Sequence, residues 1–255
     1  MKRHALPILA FLMLAMSPAA AERLITSLSS HQVLVSSSFT GAELVLFGSI
    51  EPNGAPVRKP KDGYNLIVTV SGPRDTMVVR RKDRVAGIWT NAESMSFLDA
   101  PAYLAVLSNK PLNEIAPAET LRRLEIGMNV VPGAHVAAGI ESGEEIFRDA
   151  LVRLRTQRRL YIDDPTGVTF ITPTLFRASI PLPAESPVGA YDVDVRLFAD
   201  NTNIAQASSA LEVVKVGVEQ FIVTAARDHG ILYGLFTTLM ALMTGWFASI
   251  VFRRD

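Results

Sequence analysis

From Gly230 to Phe252 the chain runs for 23 residues without an Asp, Glu, Lys, Arg or His. As a helix that stretch extends about 34 Å, enough to cross a hydrocarbon core of roughly 30 Å with some tilt. A helix packed on a water-soluble domain would keep a polar stripe. Here the polar content is little more than Thr237, Thr238, Thr244 and Ser249. Tyr233 lies near the start and Trp246 and Phe247 toward the far end, where rings can sit in the membrane interface. Arg253 and Arg254 close the stretch as topology anchors, fixed charges that belong on the cytoplasmic side. Residues 230–252 are therefore expected to be a transmembrane helix, with 253–255 as a cytoplasmic tail too short to hold a catalytic or docking domain.

The opposite end reads as an export signal. Lys2 and Arg3 form a short basic region, Leu6 to Met16 are apolar apart from Pro7, and Ala19-Ala20-Ala21 offers small residues for cleavage. The apolar part spans only about 16 Å as a helix, half a bilayer core. Residues 1–21 are expected to be removed, leaving Glu22 as the first mature residue. An uncleaved signal anchor is the weaker alternative. Both ends together predict a single-pass protein of the inner membrane with its bulk in the periplasm.

The chain has no cysteine, which removes disulfide scaffolds, thiolate metal sites and thiol nucleophiles together. Lys and Arg number 25 against 25 for Asp and Glu, so no whole-chain charge points to nucleic acid. The charge is uneven locally. Arg74, Arg80, Arg81, Lys82 and Arg84 crowd one segment, and Arg153, Arg155, Arg158 and Arg159 another. Such runs are usually solvated faces, with a specific acidic partner as the sharper reading.

Residues 22–110 and 163–217 are two strand-rich halves around a helical insertion at 111–162. The first half offers Val33–Phe39, Ala42–Ile50, Tyr64–Ser71, Thr76–Arg81, Val85–Thr90 and Ala102–Leu107, separated by turn residues. The second offers Leu175–Pro181, Ala190–Ala199 and Ala207–Val216. Tyr191, Val193, Val195 and Leu197 alternate with Asp192, Asp194, Arg196 and Phe198, the pattern of a strand with one buried face. The expected fold is mainly β: an immunoglobulin-like β-sandwich with a helical insertion and one C-terminal membrane helix. Gly189 and Tyr191 fit a tyrosine seated at a sandwich corner. The second half has too few strands to stand alone, which favours one composite body over two sandwiches.

In the insertion, Ser142 and Glu145 are spaced as a capping box ahead of the stripe Ile146, Phe147, Ala150, Leu151 and Leu154. A shorter helix is expected from Pro117 to Glu125, with Gly127 after its end. Residues 218–229 form a juxtamembrane segment.

No catalytic constellation emerges. His31, His135 and His229 are far apart and lack companions at metal-ligand spacing. Asp163-Asp164 before Pro165-Thr166-Gly167 is turn chemistry first, one pair being too few oxygens for a cation. No cofactor or metal is expected. The membrane stretch does carry a pattern: Gly230, Gly234, Thr238, Ala241, Gly245 and Ser249 place small residues along one helix face, where another helix could approach closely. The plain alternative is that such residues are simply frequent in membrane helices.

The run Lys215-Val216-Gly217-Val218-Glu219-Gln220-Phe221, followed by Tyr233-Gly234, Gly245-Trp246 and Phe252-Arg253-Arg254, resembles the C-terminal signature of a family of predicted transmembrane proteins of alphaproteobacteria. The likeness extends to Phe39–Leu44, Phe47-Gly48, Phe176-Arg177-Ala178 and Gly189-Ala190-Tyr191. It implies an inner-membrane protein with a periplasmic domain, in the company of an exporter of the sulfite-exporter type, and transfers no catalytic residues. The expected function is a non-enzymatic accessory or assembly module acting through an integral-membrane partner, a transporter among the candidates, or through self-association. The alternatives are a ligand-binding or sensing ectodomain with a pocket under the helical insert, and an envelope hydrolase built on His135.

Overall fold

The computed structural model describes residues 22–51, 60, 63–85, 87–128, 130–131, 135–136, 143–217 and 226–251. Period-two alternation builds its main strands, because successive side chains on a strand point to opposite faces. In β3 (Gly41–Glu51) Leu44, Leu46 and Ile50 are buried while Glu43, Phe47 and Glu51 are exposed. β11 (Leu175–Pro183) repeats this with Phe176, Ala178, Ile180 and Leu182 inward. The two strands pair antiparallel, Gly48 opposite Phe176 and Leu46 opposite Ala178. With β1 (Arg23–Leu28) and β10 (Val168–Phe170) outside them, they form a four-stranded sheet ordered β1-β3-β11-β10.

A six-stranded sheet shares the same hydrophobic cluster. Its order is β2 (Gln32–Val35), β13 (Thr202–Lys215), β12 (Gly189–Ala199), β4 (Asn65–Ser71), β7 (Leu104–Ser108) and β9 (Tyr161–Asp164). Tyr191, Val193, Val195 and Leu197 are fully buried, as their alternation predicts. Val193, Val195 and Leu197 lie opposite Val70, Val68 and Leu66. Strands from both ends of the sequence are neighbours in each sheet, β3 beside β11 and β4 beside β12, so both halves contribute to one core.

β4 and β7 break the alternation, for both of their faces are buried. The cause is a cover of two short helices, α1 (Leu112–Ile115) and α2 (Ala118–Arg123), on the outer face of the larger sheet. Ile115, Leu121 and Ile126 join the main cluster from that side. Arg196, pointing outward from β12, donates from Nη1 to the Leu124 carbonyl at 2.7 Å and ties the cover down. Pro117 caps α2, and Gly127 takes φ 112° just beyond it, the left-handed conformation that favours glycine.

One expectation needs correction. Thr76–Arg81 and Val85–Thr90 read as further sandwich strands, but they belong to β5 (Arg74–Val85) and β6 (Ile88–Pro101), a long hairpin in a separate sheet. β8 (His135–Val136) pairs with β6, giving the order β5-β6-β8. Met77, Val79, Met95 and Phe97 form its buried face, covered by Phe147 and Leu151 of α3 (Glu144–Gln157). Periodicity marks a strand with one apolar face without telling which surface that face meets.

The α3 stripe is only half used. Phe147 and Leu151 are buried, whereas Ile146 is 61% and Leu154 49% exposed. The helix follows Gly143, which takes φ 89°. The expected capping box depends on Ser142, which lies outside the described residues.

Candidate functional site

His31 and His229 are exposed, and the backbone of His135 pairs with Leu98 at the edge of the third sheet, its side chain lying outside the described residues. Asp164 Oδ1 accepts from the Thr166 amide at 2.9 Å and from the Thr166 hydroxyl at 2.7 Å, the turn its sequence announces. Asp163 points the other way, to the outer face of the large sheet beside Val106. There it stands on the rim of a cavity of about 360 Å³ under α1 and α2, whose walls include Leu112, Ala116, Leu121 and Met128. Partial burial, then the neighbouring Asp164 carboxylate, raise the Asp163 carboxyl above its ordinary value. Among the described residues, no group of three or more His, Asp or Glu side chains could hold a metal ion.

The membrane stretch forms α4 (Gly230–Val251), 22 residues with a mean hydropathy of 1.6 and no part buried against the rest of the chain. Its three threonine hydroxyls are satisfied within the helix. Thr237 and Thr238 donate to the Gly234 carbonyl at 3.0 and 2.8 Å, and Thr244 donates to Met240 at 2.8 Å. Polar side chains that bond their own helix leave no orphaned group for lipid to solvate. At 100° per residue, Gly230, Gly234, Thr238, Ala241, Gly245 and Ser249 fall within an arc of about 100°. A Cβ placed on Gly230, Gly234 or Gly245 meets nothing within 4 Å, so the described residues leave this face open. Arg253 and Arg254 lie outside the described residues.

A third feature was not legible in sequence: the two basic clusters meet. A groove runs between β5, an edge strand of its sheet, and α3, as two hollows of about 480 and 390 Å³. Arg80, Arg81 and Lys82 line it from the strand, and Arg153, Arg155 and Arg158 from the helix. Asp75 and Asp149 are the acidic residues on its walls. Arg81 is engaged with Glu93 at 3.0 Å, and Arg155 Nη2 rests 3.0 Å from Met77 Sδ. Arg74 and Arg84 are drawn elsewhere, to the carbonyls of Asp99 and Gly87, each at 3.2 Å.

The family model described as "Putative transmembrane protein (Alph_Pro_TM)" matches residues 23–254. The chain belongs to this family. Alph_Pro_TM thus takes in the sandwich, the third sheet and α4 as one unit, and the chain is a member of a membrane protein family with one candidate C-terminal transmembrane helix. No curated protein matches the sequence. Among solved structures, one similar chain is described as the crystal structure of the N-terminal domain of the Streptococcus gordonii adhesin Sgo0707. Identity is 6% and the TM-score 0.28, covering 75% of this chain and 32% of that one. The Alph_Pro_TM chain therefore spans about a third of that structure, and so slight a likeness carries no argument.

Proposed function

We propose that the chain is a non-enzymatic accessory or assembly module, anchored in the inner membrane with its bulk in the periplasm, which acts through an integral-membrane partner. The observation that carries this reading is α4: a helix long enough to span, with a face of small residues that nothing among the described residues covers. Close approach of backbones at such faces is how membrane helices associate. Arg253 and Arg254 favour the cytoplasmic side for the C-terminus, and the apolar, Ala-rich leader favours export of the body.

The exported body we read as immunoglobulin-like. Strand order supports this: β1-β3-β11-β10 follows the A-B-E-D order of such a sandwich, and β13-β12-β4-β7 follows G-F-C with an added C′ strand. Tyr191 supports it too, since its hydroxyl donates back to the Pro187 carbonyl near the start of the F-like strand. Folds of this kind commonly serve as recognition modules, which is analogy and not a site argument.

Photo-crosslinking in intact cells, with the probe at Met240 or Leu242 beside the small-residue face, tests the proposal. A discrete adduct with one membrane protein, or with a second copy of this chain, is the expected result. Labelling of lipid alone would remove it. A ligand-binding ectodomain is the second reading, motivated by the cavity under α1 and α2 with Asp163 at its rim. It requires long-chain amines, which match an apolar wall and one carboxylate, to raise the unfolding temperature; their indifference would dismiss it.

A further inference from the structure

The groove between β5 and α3 has the shape of a slot for an extended chain. One hollow is lined by the successive residues Val79 to Lys82, the other by Asp75 to Arg80. Neighbouring strand residues point to opposite faces, so a hollow touched by all of them in turn runs along the edge of the strand and not over one face. The described residues place no strand on that edge of β5, which leaves its outward backbone N–H and C=O groups without a ladder partner. From Asp75 to Lys82 the edge extends about 26 Å, and α3 supplies the facing wall.

The charge of the walls selects the occupant. Arg80, Lys82, Arg153 and Arg158 are exposed and make no ion pair among the described residues. Cations on an edge strand alone would be explained as a guard against edge-to-edge aggregation. That account does not extend to Arg153 on α3 and Arg158 at its C-terminal cap, which have no edge to protect. On both walls cations outnumber the single acidic residue, Asp75 or Asp149, which suits an acidic guest and disfavours a second copy of the same groove, whose cations would meet these. We propose that an extended acidic segment of a partner protein adds to β5 as an extra strand, its backbone pairing with the open edge and its carboxylates meeting Arg80, Lys82, Arg153 and Arg158. Strand addition of this kind takes affinity from main-chain hydrogen bonds and specificity from alternate side chains. The inference rests on the accessory reading above, and it names the chemistry of the partner.

The test uses the full chain in dodecyl maltoside micelles and a fluorescein-labelled peptide of about ten residues alternating valine and glutamate, read by anisotropy. A second peptide replaces the valines by proline, which keeps the charge, removes every second N–H donor and disfavours strand pairing. The expected result is binding of the valine peptide at least tenfold tighter than the proline peptide, weakened at least tenfold by Arg80→Glu with Arg153→Glu. Because both arginines are exposed, the variant should keep its circular dichroism and unfolding temperature. Equal binding of the two peptides would mean bulk attraction only and overturn the proposal. So would binding indifferent to the double reversal, or no peptide binding beside adsorption to phosphatidylglycerol vesicles. Crosslinking the unmodified chain in cells separates the two levels. A membrane partner crosslinked to a chain that fails to bind the peptide sinks the groove and spares the accessory reading; absence of any partner for the unmodified chain sinks that reading.

Discussion

The ring of Phe176 lies across the bare backbone of Gly48, its cross-strand neighbour between β11 and β3. A Cβ at Gly48 would come within 2.7 Å of Phe176 Cε1 and 2.9 Å of the Ile25 carbonyl oxygen. Phe176 is fully buried and cannot swing out to make room. Gly48 and Phe176 come from the two strand-rich halves, so this contact is one of those that join them.

Gly48→Ala should therefore destabilise the fold by about 1–3 kcal/mol, the usual cost of forcing bulk into a filled core. Urea unfolding should show a lower midpoint with an unchanged slope. Gly217→Ala, where an added Cβ meets nothing within 4 Å and φ is not left-handed, is the control expected to be near neutral.

Tyr191 donates to the Pro187 carbonyl at 2.6 Å, and its ring packs 5.5 Å from that of Tyr103. Tyr191→Phe keeps the ring and removes the hydroxyl, leaving the Pro187 carbonyl short of its partner. A loss of about 1–2 kcal/mol is expected by the same measurement.

The raised carboxyl of Asp163 fixes the sign of a pH effect. A group that binds its proton more tightly when folded contributes stability below its unfolded value, near pH 4, and loses that contribution as pH rises through the folded value. Asp163→Asn should therefore unfold at a slightly higher temperature than the unmodified chain at pH 7. The difference should shrink on acidification toward pH 4. The effect is small because solvent reaches the side chain and screens it. A difference independent of pH would show that ionisation is not its source.

On α4, Gly234→Leu and Gly245→Leu add bulk to a face with open space in the chain itself. Any loss of association then reports a neighbouring helix, since leucine favours insertion. The expected loss is about 1 kcal/mol per site, read as reduced adduct yield in native membranes. Leu239→Phe, on another face, should leave the adduct unchanged.

Glu22 is expected to be the first mature residue. Its Oε1 accepts from the Tyr64 hydroxyl at 2.7 Å, and burial followed by this carboxylate pushes the Tyr64 hydroxyl up to about 12. N-terminal sequencing of protein purified from membranes should begin at Glu22; recovery of Met1 would show an uncleaved leader.

The sequence by itself determined what is local. An uncharged run long enough to span a bilayer, the alternation in β12, the short helix between Pro117 and Gly127 and the turn at Asp164 each depend on residues within one element, and their periodicity or turn chemistry is written in that element alone. Tertiary structure decided what depends on partners distant in the chain. Thr76–Arg81 and Val85–Thr90 read as strands, yet only the position of α3 decided that the apolar face of β5 and β6 leaves the sandwich for a core of its own. The outer faces of β4 and β7 are buried because α1 and α2 happen to lie on them. The two arginine clusters looked like separate solvated faces, and about seventy residues divide them in sequence. Packing α3 along the edge of β5 brings both to one groove, since a helix axis and a strand edge set side by side align two linear patterns that no local rule couples.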